Sequence, residues 1–366
     1  MRALFDISHP AHVHFFKHIV RGLEGRGHET SIVARDKDVT LPLLDHYGFQ
    51  YVTVGRSGHR TMVGQFAELV RRDWVIRRVA RRFRPDVILT RNPCGVQVAR
   101  LVGAVGVFDT DNGREAGIHL RAALPFAHII TSPDCLPDHF GPKHVKYPGY
   151  KQTAYLHPNH FSPDPGVRDE LGVGADEPYC IVRFVAMDAS HDAGHAGLDL
   201  ATKAEIIEFL RERTRVFITC EGPVPEAWAA LELSISPHRI HDALAFARLC
   251  VGDSGSMAAE AALLGRPGIF CHSFAGSLSH LGELEERYGL AWSFKPHERG
   301  RILEKLDELV SQPPDEAGLA AAHQRLLAEK CDVAQWMCDA LDAWACRGGD
   351  LQAHFAQAAE RPAGGS

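Results

Sequence analysis

The chain has 366 residues, 45% of them hydrophobic and 23% charged, which is room for about two domains with real cores. A formal net charge of -6 excludes a general nucleic-acid binder. Nine scattered cysteines with no CxxC pair exclude a zinc ribbon or a disulfide framework and suit a reducing compartment. No run approaches the roughly 20 apolar residues of a spanning helix. Met1-Arg2 leads straight into an apolar run rather than a signal peptide, so the expected location is the cytoplasm.

Residues 3–7 (ALFDI) read as a strand and 13–27 as a helix closed by Gly27. His9, His12, His14 and His18 crowd the entry to that helix. His14 and His18, one turn apart, are the spacing of a metal pair, but Asp6 is the only nearby acidic or thiol ligand, so no metal is expected. Some of these histidines are simply packed or solvated. His12, where the first strand gives way to helix, is the first candidate base, because a neutral imidazole can take a proton from a hydroxyl. His9 is the second.

The alternation continues with a strand at 28–35, a helix at 39–48, a strand at 51–55, a helix from Met62 to Phe83 and a strand at 86–91. Leu69–Arg84 holds seven arginines against one aspartate, with Trp74, Val75, Ile76, Val79 and Phe83 between them. Such a helix is either an ordinary surface helix packed on its apolar side or a contact with an anionic membrane at the inner face of the cell. Two further strands are expected in 101–111 and 127–133. After the first of them, Asp111 and Glu115 are candidates for a base or for ligands of sugar hydroxyls, with the choice open between them.

Lys146–Glu177, dense in proline, glycine and polar residues, reads as an interdomain connection. A second alternating series follows it. Arg183 lies on its first strand, and Ser190 and His191 in the loop after it; Arg183 can grip a pyrophosphate in bidentate fashion. Ser190-His191-Asp192 is no hydrolase triad, since consecutive residues cannot align those groups. The sharpest local pattern is Cys250–Phe270, where a strand ends at Asp253, Ser254-Gly255-Ser256 turn, and a helix of strong formers starts at Met257. Free N–H groups at such a helix start suit a phosphate, and Glu260, one turn in, can accept from a ribose. A plain strand–turn–helix with a serine cap has the same spacing. Alternating halves of this kind mean parallel sheets covered on both faces, with ligands at the carboxyl ends of the strands.

Asp253-Ser254-Gly255-Ser256, Glu260 and Gly265-Arg266-Pro267 resemble the donor-nucleotide motif of GT-B glycosyltransferases and UDP-N-acetylglucosamine 2-epimerases. Four segments, 6–16, 146–165, 182–197 and 252–265, together resemble a family of predicted glycosyltransferases otherwise known as a domain of unknown function. The resemblance reaches to about residue 345. It implies an α/β GT-B fold of two facing Rossmann-like domains with an interdomain cleft. Its domains are 1–165, on the acceptor side, and 166–346, holding the nucleotide sugar, with 347–366 a disordered tail. It also implies a UDP-linked sugar donor, no cofactor and no metal, a place in polysaccharide biosynthesis, and an acceptor that is lipid-linked if the basic helix meets a membrane. Related enzymes carry a histidine at a position similar to His12, which places that residue at the acceptor hydroxyl. Thr219 and Glu221 at a strand end, and the backbone at Ile240 against a uracil edge, enter as site residues through the resemblance. An epimerase, or a binding protein that has lost catalysis, are the alternatives.

Overall fold

The computed structural model describes residues 1–56, 62–114, 117–185, 197–312 and 315–360, with backbone alone at 56 and 62–70. Two compact units divide it. Unit 1 is Met1–His160 with Glu329–Ser366, and unit 2 is Phe161–Ala328.

Unit 1 runs β1 (Arg2–Ile7), α1 (Pro10–Gly25), β2 (Glu29–Asp36), α2 (Thr40–His46), β3 (Tyr51–Arg56), α3 (Met62–Phe83), β4 (Val87–Thr90), α4 (Pro93–Val102), β5 (Val105–Asp109), α5 (Ile118–Ala123), β6 (Ile129–Pro133), β7 (His144–Tyr147) and α6 (Thr153–Leu156). Its sheet has the order β3-β2-β1-β4-β5-β6-β7, and every neighbouring pair is parallel. β1 is buried from Ala3 to Ile7, as expected of a strand covered on both faces. α1 begins where the sequence provides a cap and then proline at the first turn. Its buried Val13, Phe16, Val20 and Leu23 fall on one stripe.

Unit 2 runs α7 (Val167–Leu171), β8 (Tyr179–Phe184), α8 (Leu200–Arg211), β9 (Arg215–Cys220), α9 (Ile240–Phe246), β10 (Leu249–Gly252), α10 (Gly255–Leu263), β11 (Gly268–Cys271), α11 (Ser279–Glu283), β12 (Ala291–Phe294), α12 (Arg299–Ser311) and α13 (Glu316–Glu329). Its all-parallel sheet has the order β12-β11-β10-β8-β9. In both sheets the strand order reverses at one place, between β1 and β4 and between β8 and β10. Open parallel sheets bind ligands beside that switch point. Two Rossmann-like α/β units of this kind make the GT-B fold.

Three expectations change. The chain returns to unit 1 after residue 328, so the second domain does not extend to 346. There α14 (Val333–Arg347) packs on α1: the Cys338 thiol donates to the Ile19 carbonyl at 3.5 Å, and Arg26 pairs with Asp339 at 2.7 Å. A Cβ on Gly22 would lie 2.7 Å from Cys338 Sγ, which is why the small residue stands there. The supposed tail contains α15 (Leu351–Ala359), capped by the Asp350 side chain, with Leu351 and Phe355 buried; only 361–366 lie outside the described residues. The stretch 146–177 does hold the boundary between the units, at His160/Phe161, but its first part is packed, with Tyr147, Tyr150 and Tyr155 among the largest fully buried side chains. All nine cysteines are free thiols. Among the described residues no helix is long and apolar enough to cross a membrane.

Candidate functional site

Each unit gathers polar side chains at its own switch point. In unit 1 the ends of β1 and β4 are stitched together. Asp6, fully buried, accepts from Arg72 Nη2 of α3 at 2.6 Å and from Thr90 Oγ1 at 3.0 Å, while Ser8 Oγ donates to Asn92 Oδ1 at 2.9 Å. That frame fixes the start of α1. His9 is its N-cap, with Nδ1 accepting from the Ala11 N–H at 3.2 Å, so the second-choice base already has a structural task. His12 is half-buried, and its Nδ1 accepts from the Ser8 N–H at 3.4 Å. This contact is long enough for a substrate hydroxyl to displace. Burial, and then the positive charges of Arg91, Arg72 and Lys151 together with His9, hold the His12 imidazole well below its ordinary pKa of 6.5. The ring is therefore neutral and able to take a proton.

His14 and His18 turn elsewhere. His14 lies against Tyr155, with ring centroids 5.5 Å apart, and His18 stacks on His160 at 4.4 Å. Burial, helped by Lys17 and His160, lowers His18 to about 3. The four histidines thus do not converge on one point.

Beside His12 lies a chain of buried charges of which the sequence singled out Asp111 alone. Arg91, just past β4, donates to Asp109 and to Asp111 and sits 5.0 Å from the Phe15 ring centroid. Asp109 also accepts from Thr131 Oγ1 at 2.9 Å, and Lys151 Nζ stands 2.6 Å from the other Asp111 oxygen. Both oxygens of Asp111 thus face cations, which makes it a partner in an ion pair before it is a base. Glu115 lies outside the described residues. A usable signal for Arg91 did exist: it directly follows the end of β4, as Asp109 ends β5 and Asp111 lies two residues on.

In unit 2, Arg183, Thr219 and Gly252 share one register across β9, β8 and β10. Arg183 donates to Thr219 Oγ1 at 3.0 Å and to Glu221 Oε1 at 3.3 Å, so three expected site residues stand together. Gly252 has no alternative, since a Cβ there would lie 1.7 Å from the Arg183 carbonyl oxygen. Asp253 is buried. It accepts from the Val185 N–H at 2.6 Å and stands 3.6 Å from Lys203 Nζ, itself 4.9 Å from the Phe184 ring centroid. Burial pushes the Asp253 carboxyl up, opposed by the Val185 N–H and Lys203. It ties the ends of β8 and β10 together. Ser254 caps α10 by accepting from the Met257 N–H, and Gly255 and Ser256 form its first turn. Glu260 is buried, with Oε1 3.4 Å from His241 Nε2 of α9. The Ile240 N–H already donates to the Pro237 carbonyl. Ser190 and His191 lie outside the described residues.

Known proteins agree with this architecture. An uncharacterized protein of Methanocaldococcus jannaschii is 24% identical over 287 residues, 73% of this chain and 80% of that one. Among solved structures, a putative UDP-N-acetylglucosamine 2-epimerase from Listeria monocytogenes superposes with a TM-score of 0.69 at 11% identity, covering 96% of this chain and 98% of that one. The UDP-GlcNAc 2-epimerase of Methanocaldococcus jannaschii, in complex with UDP-GlcNAc and UDP, gives 0.62 at 11% identity over 89% and 99%. The glycosyltransferase VinC in complex with dTDP gives 0.58 at 14% identity over 93% and 99%. At such identities these structures share the fold with this chain. A family model matches residues 1–279, and the chain belongs to the family described as protein of unknown function (DUF354).

Proposed function

We propose that the protein is a glycosyltransferase that moves a sugar from a nucleoside diphosphate, UDP being the expected one, to an acceptor hydroxyl without a metal. The observation that carries this reading is the grouping of Arg183, Thr219 and Glu221 beside the Ser254-capped start of α10, at the switch point of unit 2. A guanidinium and free helix N–H groups are what a diphosphate needs, both bound as substrate and while it gathers charge as a leaving group. Glu260 would meet the ribose, giving up part of its contact with His241. Unit 1 would supply the acceptor side, with His12 as the base. Similar solved structures named for bound UDP, UDP-GlcNAc and dTDP support a nucleotide sugar.

UDP should raise the melting temperature more than ADP or GDP does, with EDTA present as without it, because a ligand of the native state stabilises it by mass action. Equal shifts for all three nucleotides would remove the base preference. A shift that vanishes with EDTA would remove the metal-free claim.

A second expected result separates the contacts. Arg183→Ala and Glu260→Gln should each weaken UDP roughly 10- to 100-fold by calorimetry, the range for one lost charged hydrogen bond. Glutamine keeps a group for His241 to bond, so folding is spared. Unchanged affinity in both variants would move the nucleotide elsewhere.

Likeness to structures named as epimerases favours a second reading, UDP-N-acetylhexosamine 2-epimerisation. That reaction needs acid and base groups on both faces of the sugar. Asp6, Asp109 and Asp111 are all paired with cations, which favours transfer. Incubation with UDP-N-acetylglucosamine alone decides, since an epimerase turns it over without acceptor.

A further inference from the structure

We propose that the outward face of α3 is a docking surface for an anionic lipid bilayer. The helix sorts its residues sharply. Arg72, Ile76 and Ala80, four apart, form the buried stripe, and Val75, Val79 and Phe83 pack partly against the core of unit 1. Arg71, Trp74, Arg78, Arg81 and Arg82, at helical spacing, are the exposed face. Trp74 is 60% exposed, and the Arg78 guanidinium lies 5.6 Å from its ring centroid. Among the described residues none of Arg71, Arg78, Arg81 and Arg82 is paired with a carboxylate. Asp73, the one acidic residue of Leu69–Arg84, is half-buried.

Packing does not call for this arrangement, because an exposed indole costs hydration and four like charges on one face repel. A membrane interface accommodates both. Tryptophan settles at headgroup depth, and arginines reach around it to lipid phosphates while their stems cover the boundary. The chain as a whole carries a net charge of -6, so an anionic surface attracts this face and repels the remainder, fixing orientation as well as contact. A nucleic-acid strand offers phosphates too, but Trp74 gives it a single stacking platform on this face.

The test uses the whole chain and needs no nucleotide, so its outcome is independent of the proposed reaction. Protein is sedimented with vesicles of phosphatidylcholine alone and of phosphatidylcholine mixed with phosphatidylglycerol. Binding is expected to the anionic vesicles only. It should disappear at about 1 M salt, where the Debye length shrinks to about 3 Å. Each arginine near the surface multiplies the partition roughly fivefold, so Arg78→Glu, Arg81→Glu and Arg82→Glu together should lower it at least about a hundredfold. Trp74→Ala should lower it several-fold. An unchanged melting temperature shows that the variants are folded; if the triple variant does not fold, the salt series and Trp74→Ala decide. The proposal is overturned by no binding to anionic vesicles at low salt, by equal binding to neutral ones, or by a folded triple variant that binds like the parent. Retention of single-stranded RNA without retention of vesicles overturns it as well.

Discussion

Replacing Arg91 by methionine is expected to destabilise the protein by about 3–5 kcal/mol, the loss typical when one partner of a buried pair is removed. Arg91 is held between Asp109 and Asp111, and the Asp109 side chain is 2% exposed. Methionine fills much of the volume but leaves the buried Asp109 with neutral donors such as Thr131 Oγ1 in place of a cation. Burial already raises the Asp109 pKa above 3.8, and Arg91 is the main group opposing that rise. In the variant the carboxyl should titrate higher still. A carboxyl raised in the folded state costs stability while ionised and recovers it on protonation. The deficit relative to the parent should therefore shrink as the pH falls from 7 toward about 5. Asp109→Asn added to Arg91→Met should recover part of the loss at pH 7 and weaken its pH dependence, the remainder coming from His12, whose protonation Arg91 no longer opposes. Urea unfolding of the three proteins across this range is the measurement. A deficit below about 1 kcal/mol, the scale of an exposed pair, would show that water reaches these charges.

Local pattern reveals what local physics decides. β1, β8, β10 and β11 are short apolar runs that a parallel sheet buries on both faces. The strand–turn–helix at Gly252–Leu263 was legible because Gly252, Ser254 and the helix formers each carry their own constraint. What escaped was held by distance in sequence. The return of α14 to unit 1 rests on contacts such as Arg26–Asp339 and Cys338–Ile19, more than 300 residues apart. The α15 helix did have a local signal, an Asp350 cap followed by Leu351 and Phe355 four apart, but the adjoining glycines obscured it. In unit 1, the histidines after the first strand were legible, while Arg91 and Lys151, which help lower the pKa of His12, arrive from beyond β4 and from the segment before α6. Arg72 was readable in hindsight from its spacing with Ile76 and Ala80, since an arginine on a buried stripe needs a buried acid, and Asp6 is one.

His12→Ala should leave UDP binding unchanged while lowering turnover by a factor of a hundred or more, the usual contribution of a positioned general base. The pH profile gives the sharper test, because a merely structural histidine would not set it. The His12 pKa lies well below 6.5, through burial first and then the charges of Arg91, His9, Arg72 and Lys151. A base with a depressed pKa stays deprotonated as the pH falls past 6.5, so kcat/KM should be level from pH 8 through 6.5 and decline only below that. Lys151→Met removes one of the charges that disfavour the imidazolium and leaves Asp111 short of a cation. Both changes raise the His12 pKa, so the acidic limb should move to higher pH, with the plateau rate less affected than the limb. The effect on stability has the same origin: the folded chain resists protonation that the unfolded chain accepts below about 6.5, so this part of the folding free energy is lost as the pH falls through that range. A profile that bends at the same pH in parent and Lys151→Met, or loss of UDP binding in His12→Ala, would assign the proton transfer to another group.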